Sequence, residues 1–203
     1  IIFQDINYYY AGLVMQYLLL LSVIFSATLA GRMISREADL NTAEFLFTRP
    51  LTRAQIMASK TAVFIILNLI LWIILYALTI IMGSMIAPED INTNGQLLVH
   101  LAGFLAVLAA GGIAFAAAPF INTVQGATSI GVGLGFGFFL IDALSKMTDK
   151  LSFLKHLNIY YYAALEDAAV GEPFLGGLLV LPLVFLLGTG LGFLFLNRKE
   201  FTG

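Results

Sequence analysis

Long stretches without a charged side chain are the feature of this sequence that most restricts its fold. Residues 11–31 and 61–87 contain no Asp, Glu, Lys or Arg, and none occurs between Leu101 and Ile141. An α-helix crosses a hydrocarbon core of about 30 Å with about 20 apolar residues. Because lipid offers no partners to backbone N–H and C=O groups, a continuous apolar run of that length indicates a membrane-spanning helix.

These runs predict an all-α, polytopic helical membrane protein with a single transmembrane domain over residues 1–203. The uncharged run that starts at Leu101 is too long for one helix, and Pro119, Asn122 and Gly126 supply the break. We therefore expect five spans, at about 11–31, 61–87, 97–118, 124–144 and 174–196.

The composition agrees with a membrane protein. The chain is 60% hydrophobic and 11% charged, whereas a typical globular domain carries about 25% charged residues. A net charge of −2 argues against a nucleic-acid binder, which neutralises phosphates with Lys and Arg. Because the sequence has no cysteine, disulfides, thiolate metal sites and a cysteine nucleophile are excluded. The first residue is Ile1 rather than Met, so we expect the chain to begin within a longer protein.

The Lys and Arg residues divide unequally between alternate loops. Seven lie in the 32–60 loop or the C-terminal tail, namely Arg32, Arg36, Arg49, Arg53, Lys60, Arg198 and Lys199. Three lie in the 145–173 loop, namely Lys146, Lys150 and Lys155. Since cytoplasmic loops near membrane spans are enriched in Lys and Arg, the sequence predicts a cytoplasmic 32–60 loop, a cytoplasmic C-terminus and an external 145–173 loop.

The 32–60 loop contains a first helix-start signature at Asn41. Asn41 can cap a helix as N-cap, and Glu44 lies three residues later, where its side chain can reach back to the cap. Pro50 disfavours the α conformation at Arg49. The pattern therefore predicts a short helix over about 42–48.

A second helix start follows at Thr52. Thr52 is the expected N-cap, Gln55 completes the capping box, and Leu51 with Ile56 forms a hydrophobic staple. This helix is expected to continue through Lys60 into the 61–87 span.

The short helix 42–48 has two interpretations. Phe45, Leu46 and Phe47 are large apolar side chains that need a cover. The helix could lie on the inner leaflet as an interfacial helix, or it could dock in a groove of a protein partner. The spacing of the residues alone leaves both open.

The stretch SREADLNTAEFLFTRPLTRAQIMASK, residues 35–60, resembles the loop signature of type-2 ATP-binding cassette (ABC) transporter permeases. The residues that match this signature in order and spacing are Glu37, Thr42, Glu44, Leu46, Pro50, Thr52, Arg53, Ile56 and Lys60. Asn41 departs from the pattern, because it stands where the family usually has glycine. Asn is a common substitute at such a position.

The layout of the chain is also similar to that family. Its members have six spans, with this loop between the second and third, a short turn between the fourth and fifth, and a basic tail after the sixth. The given chain shows five of the six, and the C-terminal stretch FLFLNRKEF resembles the tail. The resemblance implies that the first span and an amphipathic helix before it precede Ile1.

The resemblance implies a permease that forms the translocation path of an ATP-driven exporter for peptides or drugs. The sequence contains no GxxxxGK[ST] phosphate loop, so no cofactor is expected in this chain, and ATP and Mg would be bound by a separate ATPase subunit. The expected partners are that ATPase, a second permease subunit as a homodimer or heterodimer, and the lipid bilayer. The expected location is the prokaryotic plasma membrane.

The same resemblance assigns the coupling to the ATPase to the 32–60 loop, with 42–48 as a cytoplasmic coupling helix. The residues expected to take part are Glu37, Asn41, Thr42, Glu44, Phe45, Phe47, Arg49, Pro50 and Arg53. The arginines could instead serve only to anchor the loop inside the cell.

Candidate helix-packing positions lie in the last two spans. Gly131 with Gly135 and Gly188 with Gly192 form GxxxG pairs, which let membrane helices approach closely. The contacts they make could lie within one chain or at a dimer interface. Gly133 and Gly137 form an overlapping pair.

Polar residues in and near the spans are few. Asp142 is a functional candidate because it is ionisable, although a carboxylate near the end of a span can simply reach interfacial water. His100 and His156 have no second His or paired carboxylate at ligand spacing, so no metal site is expected. Apolar residues recur at helical spacing over 152–170 and predict an amphipathic helix on the outer leaflet.

Three function classes other than an ABC permease are also found among polytopic membrane proteins. A secondary, ion-coupled transporter would need polar or ionisable sites near mid-membrane, and the spans offer Asn68, Gln16 and little else. A membrane scaffold without transport activity is a further alternative. An intramembrane enzyme would need a Ser/His, paired Asp or HExxH constellation, and the sequence contains none.

Overall fold

The computed structural model describes residues 7, 10–39, 52–86, 91–147 and 149–198. A π-helical turn, Tyr10–Val14, leads into α1, Met15–Asp39. The remaining helices are α2 (Arg53–Ile86), α3 (Thr93–Ala117), α4 (Val124–Met147), α5 (Ile159–Ala163), α6 (Leu165–Ala169) and α7 (Leu175–Arg198). Short 3-10 helices cover Ala118–Phe120 and Asp149–Leu157. The predicted all-α fold is confirmed, since the described residues contain no strand.

Among the described residues, five helices are long and apolar enough to cross a membrane, as the sequence predicts. They span Tyr10–Arg36, Ala54–Ile86, Thr93–Phe120, Val124–Met147 and Leu175–Arg198. At about 1.5 Å per residue, the 34 residues of α2 extend roughly 50 Å, so α2 exceeds a hydrocarbon core of about 30 Å. Large apolar side chains such as Ile66, Ile73 and Leu186 are about half exposed on the bundle surface, where lipid is the solvent they suit. The chain is a multi-pass membrane protein.

Successive long helices run in alternating directions, since Phe64 and Trp72 of α2 meet Gly111 and Gly103 of α3 in reverse order along the chain. We call the end of the bundle where α1 ends and α2 begins the loop end, and the other end the far end. Residues 118–123 connect α3 to α4 at the loop end, and the side chain of Thr123 caps α4 by accepting a hydrogen bond of 3.0 Å from the Gly126 amide.

Helix α3 lies at the centre of the bundle and packs against α1, α2 and α7. Its buried face consists largely of alanine and glycine, so neighbouring helices approach its backbone closely. The ring of Trp72 lies against Gly103, and the ring of Phe64 lies against Gly111. Small residues on α3 therefore provide the space that large aromatic residues of α2 occupy.

The 149–169 segment differs from the single amphipathic helix expected over 152–170. It forms the 3-10 helix Asp149–Leu157 followed by α5 and α6. Asn158 starts α5 by accepting a hydrogen bond of 3.1 Å from the Tyr160 amide. Ala164 adopts a left-handed conformation, with φ of 41°, between α5 and α6. Both features are local interruptions that an apolar periodicity does not reveal, because the periodicity continues across them.

Candidate functional site

A capping box lies at the start of α2, directly after the segment that joins α1 to α2. The Thr52 amide donates to Gln55 Oε1 at 2.9 Å, and the Gln55 amide donates to Thr52 Oγ1 at 3.2 Å. The reciprocal pair satisfies two backbone amides that the first turn of a helix leaves without partners. The predicted helix start at Thr52 is therefore confirmed.

A side chain also joins the two helices that flank this segment. Lys60 Nζ on α2 donates a hydrogen bond to the carbonyl oxygen of Met33 on α1. Close by, Met57 of α2 and Ile34 of α1 are both buried in the same apolar cluster. We call this arrangement, formed by the Thr52–Gln55 box and the Lys60–Met33 bond, the loop frame.

Most of the residues that the sequence assigns to coupling lie in the stretch of sequence between α1 and α2. Glu37 falls in the last turns of α1, and Arg53 is the first residue of α2. The remaining assigned residues, namely Asn41, Thr42, Glu44, Phe45, Phe47, Arg49 and Pro50, lie outside the described residues, as does the expected helix 42–48.

The four glycines assigned to helix packing all contact other helices of the same chain. A Cβ at Gly131 would overlap Thr28, and one at Gly135 would overlap Ile24, so these glycines let α4 pack closely on α1. On α7, Gly188 lies against the backbone of Gly112 in α3.

Gly192 lies against the Phe115 carbonyl of α3 in the same way.

The overlapping pair on α4 behaves differently from the four packing glycines. No described atom comes within 4 Å of a Cβ built on Gly133 or Gly137. That stripe of α4 therefore faces away from the rest of the described chain.

Asp142 lies at the far end of the bundle among polar side chains. Its carboxylate accepts hydrogen bonds from Gln16 Nε2 at 3.1 Å and from Asn158 Nδ2 at 3.2 Å. Lys146 Nζ lies 2.9 Å from the same carboxylate. The expectation that Asp142 simply reaches interfacial water is wrong, because only 5% of the residue is exposed and its oxygens are paired with α1, α4 and the segment after α4.

His100 forms a second polar cluster that the sequence reasoning missed. The residue is 4% exposed, and its Nδ1 lies 2.7 Å from the carbonyl oxygen of Gln96. A carbonyl only accepts, so Nδ1 carries a proton. Nε2 lies 3.2 Å from the hydroxyl of Thr79, which is also 2.5 Å from the hydroxyl of Tyr10.

Aromatic rings of α2 enclose the same imidazole. The rings of Trp72 and Tyr76 meet His100 edge-on, with centroids 5.9 and 5.3 Å away. Trp72, Tyr76 and Thr79 are spaced 4 and 3 residues apart, which places them on one face of a helix. That spacing, opposite a histidine on the next span, is the signal that could have predicted the cluster.

No group of three His, Asp or Glu residues in the described ranges is arranged to hold a metal ion. The described part of the molecule therefore contains three polar arrangements. These are the loop frame between α1 and α2, the buried carboxylate of Asp142 at the far end and the histidine cluster on α3.

Comparison with known proteins places this architecture in a family. A family model described as "ABC-2 family transporter protein" matches residues 2–142. No curated protein and no solved structure matches the chain. The match extends over more than half of the sequence and includes the loop frame, the 40–51 segment, the histidine cluster and Asp142. The chain belongs to the ABC-2 family of transporter proteins, as a membrane component of that transporter class.

Proposed function

We propose that this chain is the permease subunit of an ATP-driven exporter and that a separate ATPase subunit docks on the segment between α1 and α2. The observation that carries the proposal is the loop frame. The capping box fixes the start of α2, and the Lys60–Met33 bond ties α2 to α1, within a region that matches the ABC-2 family.

The frame supports a mechanical route from the ATPase to the spans. A force on residues 40–51 acts on α1 and α2 together, since Lys60 ties one helix to the other. Helix α1 in turn packs on α4 through Gly131 and Gly135 and reaches Asp142 through Gln16. Closely packed helices move as rigid bodies, so ATP-driven closure of the partner would displace the α1–α4 pair.

We further propose that two permease subunits form the translocation path with two ATPase subunits. In a two-fold arrangement the two permease subunits share one interface, and each of them binds one of two identical ATPase subunits. The exposed stripe of Gly133 and Gly137 on α4 is a surface on which a second helix could approach closely.

The proposed orientation places the loop end in the cytoplasm. Seven of the ten Lys and Arg residues belong to the 32–60 loop and the C-terminal tail. The C-terminus is then cytoplasmic, and the location is the plasma membrane of a prokaryotic cell. The apolar surfaces of the spans suit a lipid-like molecule or an amphipathic peptide better than a small hydrophilic cargo.

Reconstitution tests this function directly. The chain is co-expressed and purified with a candidate ABC ATPase subunit, and the mass of the intact complex is measured in detergent. We expect two copies of each subunit and ATP-dependent flux of an amphipathic peptide in vesicles. A stable single permease that transports at the full rate contradicts the paired arrangement, and flux that needs no ATPase contradicts the permease role.

The His100 cluster favours a second candidate, an ion-coupled secondary transporter. A buried ionisable side chain in a span is a common element of proton pathways. Flux that follows an imposed proton gradient without an ATPase, and that is lost in His100→Ala, would favour this candidate. Flux that requires ATP hydrolysis and ignores the gradient would exclude it.

A further inference from the structure

A pocket opens at the far end of the bundle between the start of α1, the end of α4 and the 155–174 segment. Its volume is about 310 Å³, which is large enough for a small organic group. Gly12 lines it from the π-helical turn before α1, Gln16 lines it from α1, and Asp142 and Lys146 line it from α4. We call it the far-end pocket.

The charges around the far-end pocket favour a cation. Lys146 Nζ lies 2.9 Å from Asp142 and 3.9 Å from Glu166, and the other oxygen of Asp142 accepts from Asn158. The pocket is lined in addition by two carboxylates, Glu166 and Asp167, and by one further ammonium, that of Lys155.

Lys155 is itself placed over an aromatic ring, because its Nζ lies 5.3 Å from the centre of the Tyr161 ring. With three carboxylates against two ammonium groups, the residues that line the pocket carry a net charge of −1.

Aromatic rings form another part of the wall. Tyr161 and Phe174 both line the pocket, and their ring centroids are 5.8 Å apart. The faces of such rings carry negative charge density and attract organic cations. The contact of Lys155 with Tyr161 is an interaction of this kind within the same wall.

Tyr160 adds a polar group that lacks a partner. The residue lines the pocket, is 7% exposed, and its hydroxyl makes no hydrogen bond among the described residues. Burial, together with the nearby charge of Asp142, raises the pKa of Tyr160, so the hydroxyl stays protonated at neutral pH. A buried hydroxyl without a partner costs free energy. A ligand with N–H donors would supply the missing hydrogen bond.

We propose that the far-end pocket binds the ammonium group of an organic amine, with Glu166 and Asp167 as counter-charges, Tyr161 and Phe174 as the aromatic wall and Tyr160 as an acceptor. The amine can come from a lipid headgroup or from a free amphipathic amine. The site needs no ATPase, so its failure would leave the proposed permease role untouched.

The test uses the full chain in uncharged maltoside micelles and hexylammonium as the probe. Titration calorimetry with hexylammonium is compared with hexanol, which has the same alkyl chain without charge, and with hexyl phosphate. We expect one saturable hexylammonium site per chain and no saturable site for the other two. Equal binding of hexanol, or stronger binding of hexyl phosphate, overturns the proposal.

Matched variants test which residues form the site. Glu166→Gln keeps the shape of the side chain and removes its charge, and we expect about a tenfold loss of hexylammonium affinity. Asp167→Asn serves the same purpose if Glu166→Gln does not fold. Glu172 is a carboxylate that does not line the pocket, so Glu172→Gln is expected to bind normally. Equal affinity in all three variants contradicts the proposed counter-charges.

A second pair tests the volume of the pocket. A Cβ at Gly12 would lie 3.3 Å from Glu166 Oε1, so Gly12→Leu directs a side chain toward the carboxylate and is expected to abolish binding. No described atom lies within 4 Å of a Cβ at Gly190, so Gly190→Leu is the control and should bind normally. Circular dichroism and size-exclusion profiles establish that both variants fold. Normal binding by folded Gly12→Leu places the amine elsewhere and overturns the proposal.

Bilayer composition distinguishes the two sources of the amine. The chain is placed in nanodiscs of phosphatidylglycerol, with or without phosphatidylethanolamine. If the lipid headgroup occupies the pocket, phosphatidylethanolamine will weaken hexylammonium binding by competition. If the amine is a free amphipath, the affinity will be the same in both discs. Either result supports an ammonium site, whereas loss of saturable binding in both discs contradicts it.

Discussion

The side-chain amide of Gln16 donates a hydrogen bond of 3.1 Å to Asp142, 126 positions later in the chain. This contact joins α1 to α4 at the far end, while Gly131 lets the same two helices approach each other nearer the loop end. The α1–α4 pair is therefore held by a polar contact and by close backbone packing.

Asp142→Asn should destabilise the protein. The substitution removes the charge that pairs with Lys146 and that strengthens the hydrogen bonds from Gln16 and Asn158. Hydrogen bonds to charged groups contribute about 1.5–3 kcal/mol, so we expect a loss of roughly that size, measured by unfolding in detergent mixtures. Glu172→Gln is the control. An unchanged unfolding midpoint for Asp142→Asn would contradict the structural role of the carboxylate.

Gly188→Ala should destabilise the contact between α3 and α7. A Cβ at Gly188 would overlap the backbone of Gly112, and overpacking of this kind costs about 1–3 kcal/mol. Gly190→Ala lies on the same helix with no described atom within 4 Å of its Cβ, and it should leave stability nearly unchanged. The free energy of unfolding of the two variants is compared directly, and equal values would argue against close packing at Gly188.

Lys60→Met should weaken coupling more than folding. Methionine keeps the length of the apolar lysine stem but lacks the ammonium group that binds the Met33 carbonyl. We expect normal membrane insertion and normal ATPase binding, with ATP-driven transport reduced severalfold, because α1 and α2 no longer move together. Ser59→Ala, at an exposed neighbouring position, is the control. Full transport by Lys60→Met would remove the loop frame from the mechanism.

Phe45→Ala should reduce recovery of the ATPase in a pull-down. If residues 42–48 dock in a groove of the ATPase, truncating an anchor ring at the centre of the interface costs about 2 kcal/mol or more. Glu44→Ala should cost less, about 1 kcal/mol, through a weaker helix cap. Phe153→Ala changes a phenylalanine that is 61% exposed in the segment after α4 and serves as the control. Undiminished recovery with Phe45→Ala would favour the alternative of a helix that lies on lipid.

Cysteine labelling tests the proposed orientation. The sequence has no cysteine, so a single introduced thiol gives an unambiguous signal. An impermeant reagent should label Ser152→Cys in intact cells and should label Thr48→Cys only after the membrane is opened. The opposite pattern would invert the topology that the distribution of Lys and Arg predicts.

Local features of the fold were predictable from the sequence. Membrane helices pair their backbone groups within each segment, so uncharged runs of sufficient length indicate the five spans without knowledge of their neighbours. The capping box at Thr52 was predictable for the same reason, since both partners lie within four residues of each other. The residues expected to dock an ATPase remain predictions from a sequence resemblance.

Contacts between distant segments were decided by the tertiary structure. The buried position of Asp142 depends on Gln16 and Asn158, which come from other segments of the chain. The environment of His100 likewise depends on Tyr10 and Thr79, which lie on neighbouring helices. Apolar periodicity reports which face of a helix avoids water, but in a bilayer the lipid-facing and protein-facing sides are both apolar. The sequence by itself therefore determined which of the described segments form membrane-spanning helices, whereas only the packing of small residues and the pairing of rare polar groups decided which helices meet.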